Sequence, residues 1–167
     1  MARRPLAAGL ACLAVVIGVD QVSKALILDA FRPPGVESTP FVATGQLHVL
    51  PILDFALVWN RGVSFGVANT GGAWNALVFA AISAVIALVL LVWMARAKRD
   101  LLGISLGLIT GGAVGNLMDR LRIGAVVDFI YVHIGAFDWF PAFNVADSSI
   151  TVGAAALVID SLFVARD

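Results

Sequence analysis

Residues 73–118 read AWNALVFAAISAVIALVLLVWMARAKRDLLGISLGLITGGAVGNLM. Two long apolar runs, 73–94 and 101–118, flank the charged link Arg96-Ala97-Lys98-Arg99-Asp100. A helix needs about 20 apolar residues to cross a bilayer, so each run is long enough to span and the link marks one membrane surface. Residues 62–72 are also free of charge, but Asn69-Thr70-Gly71-Gly72 is a turn signal, which sets the start of the first run near Ala73. Working outward, two more spans follow at 5–28, interrupted by Asp20 and Lys24, and at 146–164, with Asp160 near its far end.

The whole composition agrees. Of 167 residues 60% are hydrophobic and 13% charged, against about 45–50% and 25% in soluble domains. Mean hydropathy is +0.97. Eleven basic residues balance eleven acidic ones, which leaves no excess to hold nucleic acid. The single Cys12 excludes an internal disulfide and a cysteine-built zinc site, and His48 and His133 are too few and too far apart for a histidine-built one. Arg3-Arg4 followed by an apolar run has the look of a cleaved signal peptide. The run continues past Cys12 to Val19, however, and favours an uncleaved span with Cys12 as a small buried apolar residue.

Basic residues set the orientation. Arg3, Arg4, Arg96, Lys98, Arg99 and Arg166 lie in three short segments that four spans place on one side. The longer connections, 29–72 and 119–145, hold only Arg32, Arg61, Arg120 and Arg122. Both termini are therefore expected in the cytoplasm and both long connections outside. The stretches Leu47–Leu50 and Phe55–Trp59 are strand-prone. The second connection carries Phe129, Tyr131, Phe137, Trp139, Phe140 and Phe143, which suit the headgroup level. The expected fold is membrane α-helical: a four-transmembrane-helix bundle with a small extracytoplasmic β-sheet or cradle, and an interfacial loop or helix between helices three and four.

That topology gathers Asn60, Arg61, Asn116, Asp119, Arg120, Asp128, Asn144 and Asp147 at the outer end of the bundle. Ionisable groups at membrane depth are costly and point to function. Two neighbouring carboxyls in a low dielectric share one proton, so one can act as base toward water and the other as acid toward a carbonyl. Asp128 and Asp147 are the candidate pair. Ser148 and Ser149 have no His or Lys near them in sequence, and Ser64 lacks a nucleophile-elbow pattern.

Five motifs stand in order: Asp20-Gln21-x-x-Lys24, Asn60-Arg61-Gly62-Val63-Ser64-Phe65-Gly66, Gly115-Asn116-Leu117-Met118-Asp119-Arg120, Val127-Asp128-Phe129, and Phe143-Asn144-Val145-Ala146-Asp147-Ser148. With the four-helix hydropathy, this set resembles lipoprotein signal peptidase (signal peptidase II) over nearly the whole chain, least well over 33–53. The resemblance implies a single integral-membrane peptidase domain over 1–167 in the bacterial inner membrane. It implies an aspartyl endopeptidase that removes the signal peptide from diacylglyceryl-modified prolipoproteins immediately before the lipidated cysteine. It implies catalytic Asp128 and Asp147, no metal or cofactor, and inhibition by globomycin-type cyclic peptides. Asp20, Lys24, Asn60, Gly62, Asn116, Asp119, Arg120 and Asn144 are the implied substrate-binding or site-supporting residues. Its partners would be the prolipoprotein, as signal helix plus lipidated cysteine, and membrane lipids.

Each residue also has a structural reading. Asp147 opens helix four and can cap it, and the helix dipole would favour its charge and leave the shared proton on Asp128. Asp119 and Arg120 suit scaffolding, Arg120 through a bidentate contact to a carboxylate or a lipid phosphate. Asp20 and Lys24, four apart on one helix face, can pair with each other. Gly111, Gly112 and Gly115 point to close helix packing. His48 and His133 are expected at the surface or interface, and Asp160 is expected solvated or paired with Arg166. Two rivals remain at this level: a non-enzymatic transporter or assembly subunit, and a metal-dependent hydrolase using Asp119, Asp128 and Asp147.

Overall fold

A computed structural model describes residues 3–33, 44–61, 73–133 and 141–164. In chain order the elements are α1 (Arg3–Phe31), β1 (Thr44–Leu50), β2 (Leu53–Asn60), α2 (Ala73–Ala95), α3 (Asp100–Ile123), β3 (Val126–Val132) and α4 (Val145–Val164). All four helices are long and apolar enough to cross a membrane. Each expected span is a helix. α3 runs one turn further than 118, because Asp119, Arg120 and Arg122 continue it until Gly124 adopts φ 69° and its N–H closes on Arg120 O at 3.1 Å. The chain divides into two compact units, a helical one (Met1–Asp20, Ile82–Gly115, Val145–Asp167) and a sheet-bearing one (Gln21–Ala81, Asn116–Asn144).

In the helical unit α3 is the inner helix. Its most apolar stretch is 56% buried, against 17% in each of the other three. Glycine is what allows this. A Cβ on Gly103 or Gly107 would overlap the backbone carbonyl of Pro5 or Gly9, and one on Gly111 would meet Val16. α1 and α3 therefore touch backbone to backbone along a four-residue repeat, the small-residue contact that replaces hydrophobic driving force in lipid. Gly112 and Gly153 do the same between α3 and α4. Val15, Val19, Val85, Val89, Val158 and Leu162 are exposed on the outer helices, as lipid-facing positions must be. Cys12 is half-buried. Asp160 is not solvated: it is 4% exposed and its carboxylate meets Arg99 Nη2 at 2.6 Å, while Arg166, the other expected partner, lies outside the described residues.

The sheet-bearing unit holds three antiparallel strands in the order β1-β2-β3. The hairpin β1–β2 matches the strand-prone stretches. The strand β3 differs from the expected interfacial loop or helix over 126–132. The run Val126-Val127-Asp128-Phe129-Ile130-Tyr131-Val132 is rich in β-branched and aromatic residues. Phe129 packs within the sheet: it is 4% exposed and meets Phe55 edge-on, with centroids 5.9 Å apart. Phe137, Trp139 and Phe140 lie outside the described residues. β2 pairs Phe55 with Ile130 but Val58 with Asp128. One extra residue of β2 therefore sits in this interval, a bulge that changes the facing of everything beyond it. It puts Val58 and Asn60 on the face of Asp128.

The far end of the sheet is closed by Asp54, which is 1% exposed. Gln46 Nε2 donates to its Oδ2 at 2.6 Å, His48 Nδ1 lies 2.7 Å from Oδ1, and His133 Nε2 lies 3.2 Å from Oδ2. The two histidines are thus partners of one carboxylate. Burial raises the Asp54 carboxyl, but His48, Gln46 and His133 outweigh it and hold the group below its ordinary value. Its stabilising contribution is present above the ordinary carboxylate range and is lost as pH falls through the depressed folded-state value. The thermal midpoint of wild type should therefore exceed that of Asp54→Asn at about pH 6, and the gap should close toward about pH 3. A gap that stayed constant over that range would show that Asp54 contributes no charge-dependent stability.

Candidate active site

Most of the polar motif residues converge in the sheet-bearing unit. Asp128 sits on β3, where alternation would allow either face, and the bulge in β2 decides which neighbour it meets. Asp128 is 2% exposed. Asn60 Nδ2 donates to its Oδ2 at 3.0 Å, and Asn144 Nδ2 donates to its Oδ1 at 2.7 Å. Both oxygens thus have fixed directions. Asn144 is fully buried, and the same Nδ2 also faces Asn116 Oδ1 at 3.2 Å and Val127 O at 3.3 Å. A neutral NH₂ surrounded by acceptors has one orientation available.

Behind Asn116 stands a buried ion pair. Lys24 Nζ donates to Asn116 Oδ1 at 3.0 Å and contacts Asp119 Oδ2 at 2.7 Å, with side-chain exposures of 2% and 5% for Lys24 and Asp119. Asp119 also accepts from Gln21 Nε2 at 3.0 Å and from Val127 N at 3.2 Å. A charge taken out of water is tolerated only when paired and hydrogen-bonded, and here both partners are. The chain Asp119–Lys24–Asn116–Asn144–Asp128 joins α1, α3 and β3 in one unbroken polar line.

Asp119 thus has three partners, Lys24, Gln21 and the Val127 N–H. Arg120 Nη1 donates to Asn116 O at 3.3 Å, and its guanidinium lies 5.7 Å from the centre of the Phe79 ring. Gln21, quoted in the first motif but given no role there, joins Arg122 Nη1 to Asp119. Its i,i+3 spacing to Lys24 was the available signal. Gly62 lies outside the described residues.

Asp20 and Asp147 belong to the helical unit. Asp20 is fully buried, and its Oδ1 accepts from Ala146 N, in the first turn of α4, at 2.9 Å. A Cβ on Gly115 would lie 2.6 Å from the other Asp20 oxygen, so the glycine makes room for the carboxylate. Asp147 is the third residue of α4, not its cap, and is half-exposed. Asn144 precedes the helix in the capping position, but its amide serves Asp128. The α1 carboxylate of Asp20 supplies an acceptor to the helix start.

Among the described residues no group of three His, Cys, Asp or Glu side chains is arranged to hold a metal ion.

The chain is similar to known proteins. The family model for signal peptidase (SPase) II matches residues 12–163. A lipoprotein signal peptidase of Methylorubrum extorquens is 40% identical over 154 residues, covering 92% of this chain and 85% of the relative. One from Rhodopseudomonas palustris is 41% identical over 162 residues, covering 95% and 93%. A bacterial membrane enzyme solved at 2.3 Å superposes with a TM-score of 0.75 at 27% identity, covering 94% of this chain and 88% of that one. These matches give no support to a transporter or assembly subunit. The chain belongs to the signal peptidase II family, membrane-embedded aspartic peptidases that process lipoproteins.

Proposed function

We propose that this peptidase cleaves diacylglyceryl-modified prolipoproteins immediately before the lipidated cysteine, with Asp128 and Asp147 as the two catalytic carboxyls. The observation that carries the reading is the buried Asp128 carboxylate with both oxygens held by asparagine amides, within a chain whose family is aspartic. The ionised carboxyl takes a proton from water as the water oxygen attacks the scissile carbonyl. The protonated partner donates to the carbonyl oxygen. Collapse of the tetrahedral intermediate breaks the C–N bond: the carboxyl that took a proton gives it to the leaving cysteine amine, and its partner regains a proton from a hydroxyl of the intermediate.

The substrate is a signal helix with acyl chains, and both enter from the bilayer. Acyl burial adds about 0.8 kcal/mol per CH₂, remote binding that can position the reacting bond. In this reading 1–167 works as one integral-membrane domain, with both termini cytoplasmic and the reaction at the outer headgroup level, where water reaches. The exposed Arg96, Lys98 and Arg99 between α2 and α3 support that orientation. Asp20, Lys24, Asn116, Asp119 and Arg120 hold the site, Asn60 and Asn144 orient Asp128, and Gly62 keeps the substrate-binding or site-supporting role that its motif implies. Globomycin-type cyclic peptides would compete with the substrate, and membrane lipids would surround it.

The deciding experiment is cleavage of a diacylated lipobox peptide by the purified full chain in detergent. Wild type should be active and indifferent to chelators, and Asp128→Asn and Asp147→Asn should each be inactive. Loss of activity on chelation would transfer the assignment to a metal hydrolase. The amides give a graded result. Asn144→Ala removes a fully buried donor and should lower kcat by about 10²-fold, the scale of a misplaced reacting group. Asn60→Ala, at a longer and less buried bond, should cost less. Equal, negligible losses would remove both from the site.

A further inference from the structure

We infer that a groove at the basic end of the helical unit binds one anionic phospholipid. The groove has a volume of about 380 Å³ and lies among the end of α2, the start of α3 and the last turns of α4, lined by Trp93, Arg99, Leu102, Leu157, Val158 and Asp160. Its walls are apolar and open: Trp93 is 45% exposed and Val158 59%. In a membrane-embedded chain such a surface is covered by acyl chain, and Trp at its rim suits the headgroup level.

The charge at its mouth selects the headgroup. Asp160 would repel a phosphate, but Arg99 Nη2 meets its carboxylate at 2.6 Å and Nη1 donates to its backbone carbonyl at 3.3 Å. The Arg99 side chain remains 42% exposed. Arg96 and Lys98, in the same short link, are exposed. The other carboxylate near this link, Asp100, is met by Arg4 Nε at 3.2 Å. Among the described residues, this end of the helical unit thus holds Arg4, Arg96, Lys98 and Arg99 against Asp100 and Asp160, and each carboxylate is already paired with an arginine. A lipid phosphate without a compensating ammonium completes the balance, whereas a zwitterionic headgroup brings its own cation. A basic residue at a membrane surface favours an anionic lipid by about fivefold.

The test reads Trp93 directly. The full chain is placed in phosphatidylcholine vesicles in which one tenth of the lipid carries brominated, fluorescence-quenching chains, either on phosphatidylglycerol or on phosphatidylcholine. The Trp93 component is the difference between wild type and Trp93→Phe. Brominated phosphatidylglycerol should quench it with about fivefold or greater preference. Arg96→Gln with Lys98→Gln should bring the preference toward one and leave peptide cleavage unchanged, since neither residue belongs to the polar site. Soluble glycerol phosphate should not relieve the quenching. Equal quenching by both lipids, a preference that survives the double substitution, or relief by glycerol phosphate would each overturn the site. A Trp93 that neither lipid quenches would mean that protein covers the groove and would overturn it too. None of these readouts depends on which residues cleave the substrate.

Discussion

Asp147→Asn should lose processing of a diacylated lipobox peptide by about 10²–10⁴-fold, the range for removing a general acid or base, while the protein keeps its thermal midpoint within a few degrees. The side chain is half-exposed in the first turn of α4, and asparagine keeps its shape while losing its charge, which at a helix start is worth about 0.3–1 kcal/mol. Asp128→Asn should lose as much activity but also some stability. Both Asp128 oxygens accept from amide donors, Asn60 Nδ2 and Asn144 Nδ2. An asparagine there must turn its own NH₂ toward one of them. A buried donor left facing a donor costs about 1–3 kcal/mol. Residues that act as a unit are not additive, so the double variant should be no slower than either single one. The checks are initial rates by peptide mass and melting in detergent. Cleavage by Asp147→Asn within tenfold of wild type would take that residue out of the chemistry, whatever its position in the motif.

The helices were legible because the bilayer imposes a length and an apolarity that few other settings demand. The runs 73–94 and 101–118 could hardly be anything else. β3 was not legible in the same way. Its aromatics serve equally well at a headgroup layer and in a small sheet, and only pairing with β2 separates the two. The polar partners were harder still. Asp20 and Lys24 share a helix face, which made them natural partners for each other. Lys24 also reaches Asp119 and Asn116, and Asp20 supplies an acceptor to the start of α4, contacts that spacing within one helix does not announce. Likewise Asn144 stands where a cap would stand and spends its amide on Asp128. Local spacing says which residues can meet, and burial decides which of those meetings a charge requires. Two scattered histidines gave no hint that both would find Asp54.

That dependence on burial makes Lys24 the most sensitive position for folding. Lys24→Met leaves a side chain of similar length but strands Asp119, whose carboxylate is 5% exposed. Breaking a buried pair by removing one partner costs about 3–5 kcal/mol. For a chain of this size that is a fall of roughly 10 °C in thermal midpoint. Activity should fall as well, because Asn116 Oδ1 receives both Lys24 Nζ and Asn144 Nδ2. With the lysine gone, one end of the line that orients Asp128 is loose. Adding Asp119→Leu should restore much of the stability, since a buried pair replaced by apolar groups of similar volume is often neutral. It should not restore the rate, because Val127 N, adjacent to Asp128 on β3, would lose the carboxylate that it donates to. Melting and turnover measured on the two single variants and the double variant separate these effects. Recovery of both together would reduce the Lys24–Asp119 pair to a packing element, and recovery of neither would mean that its contribution is not the pairing of charge.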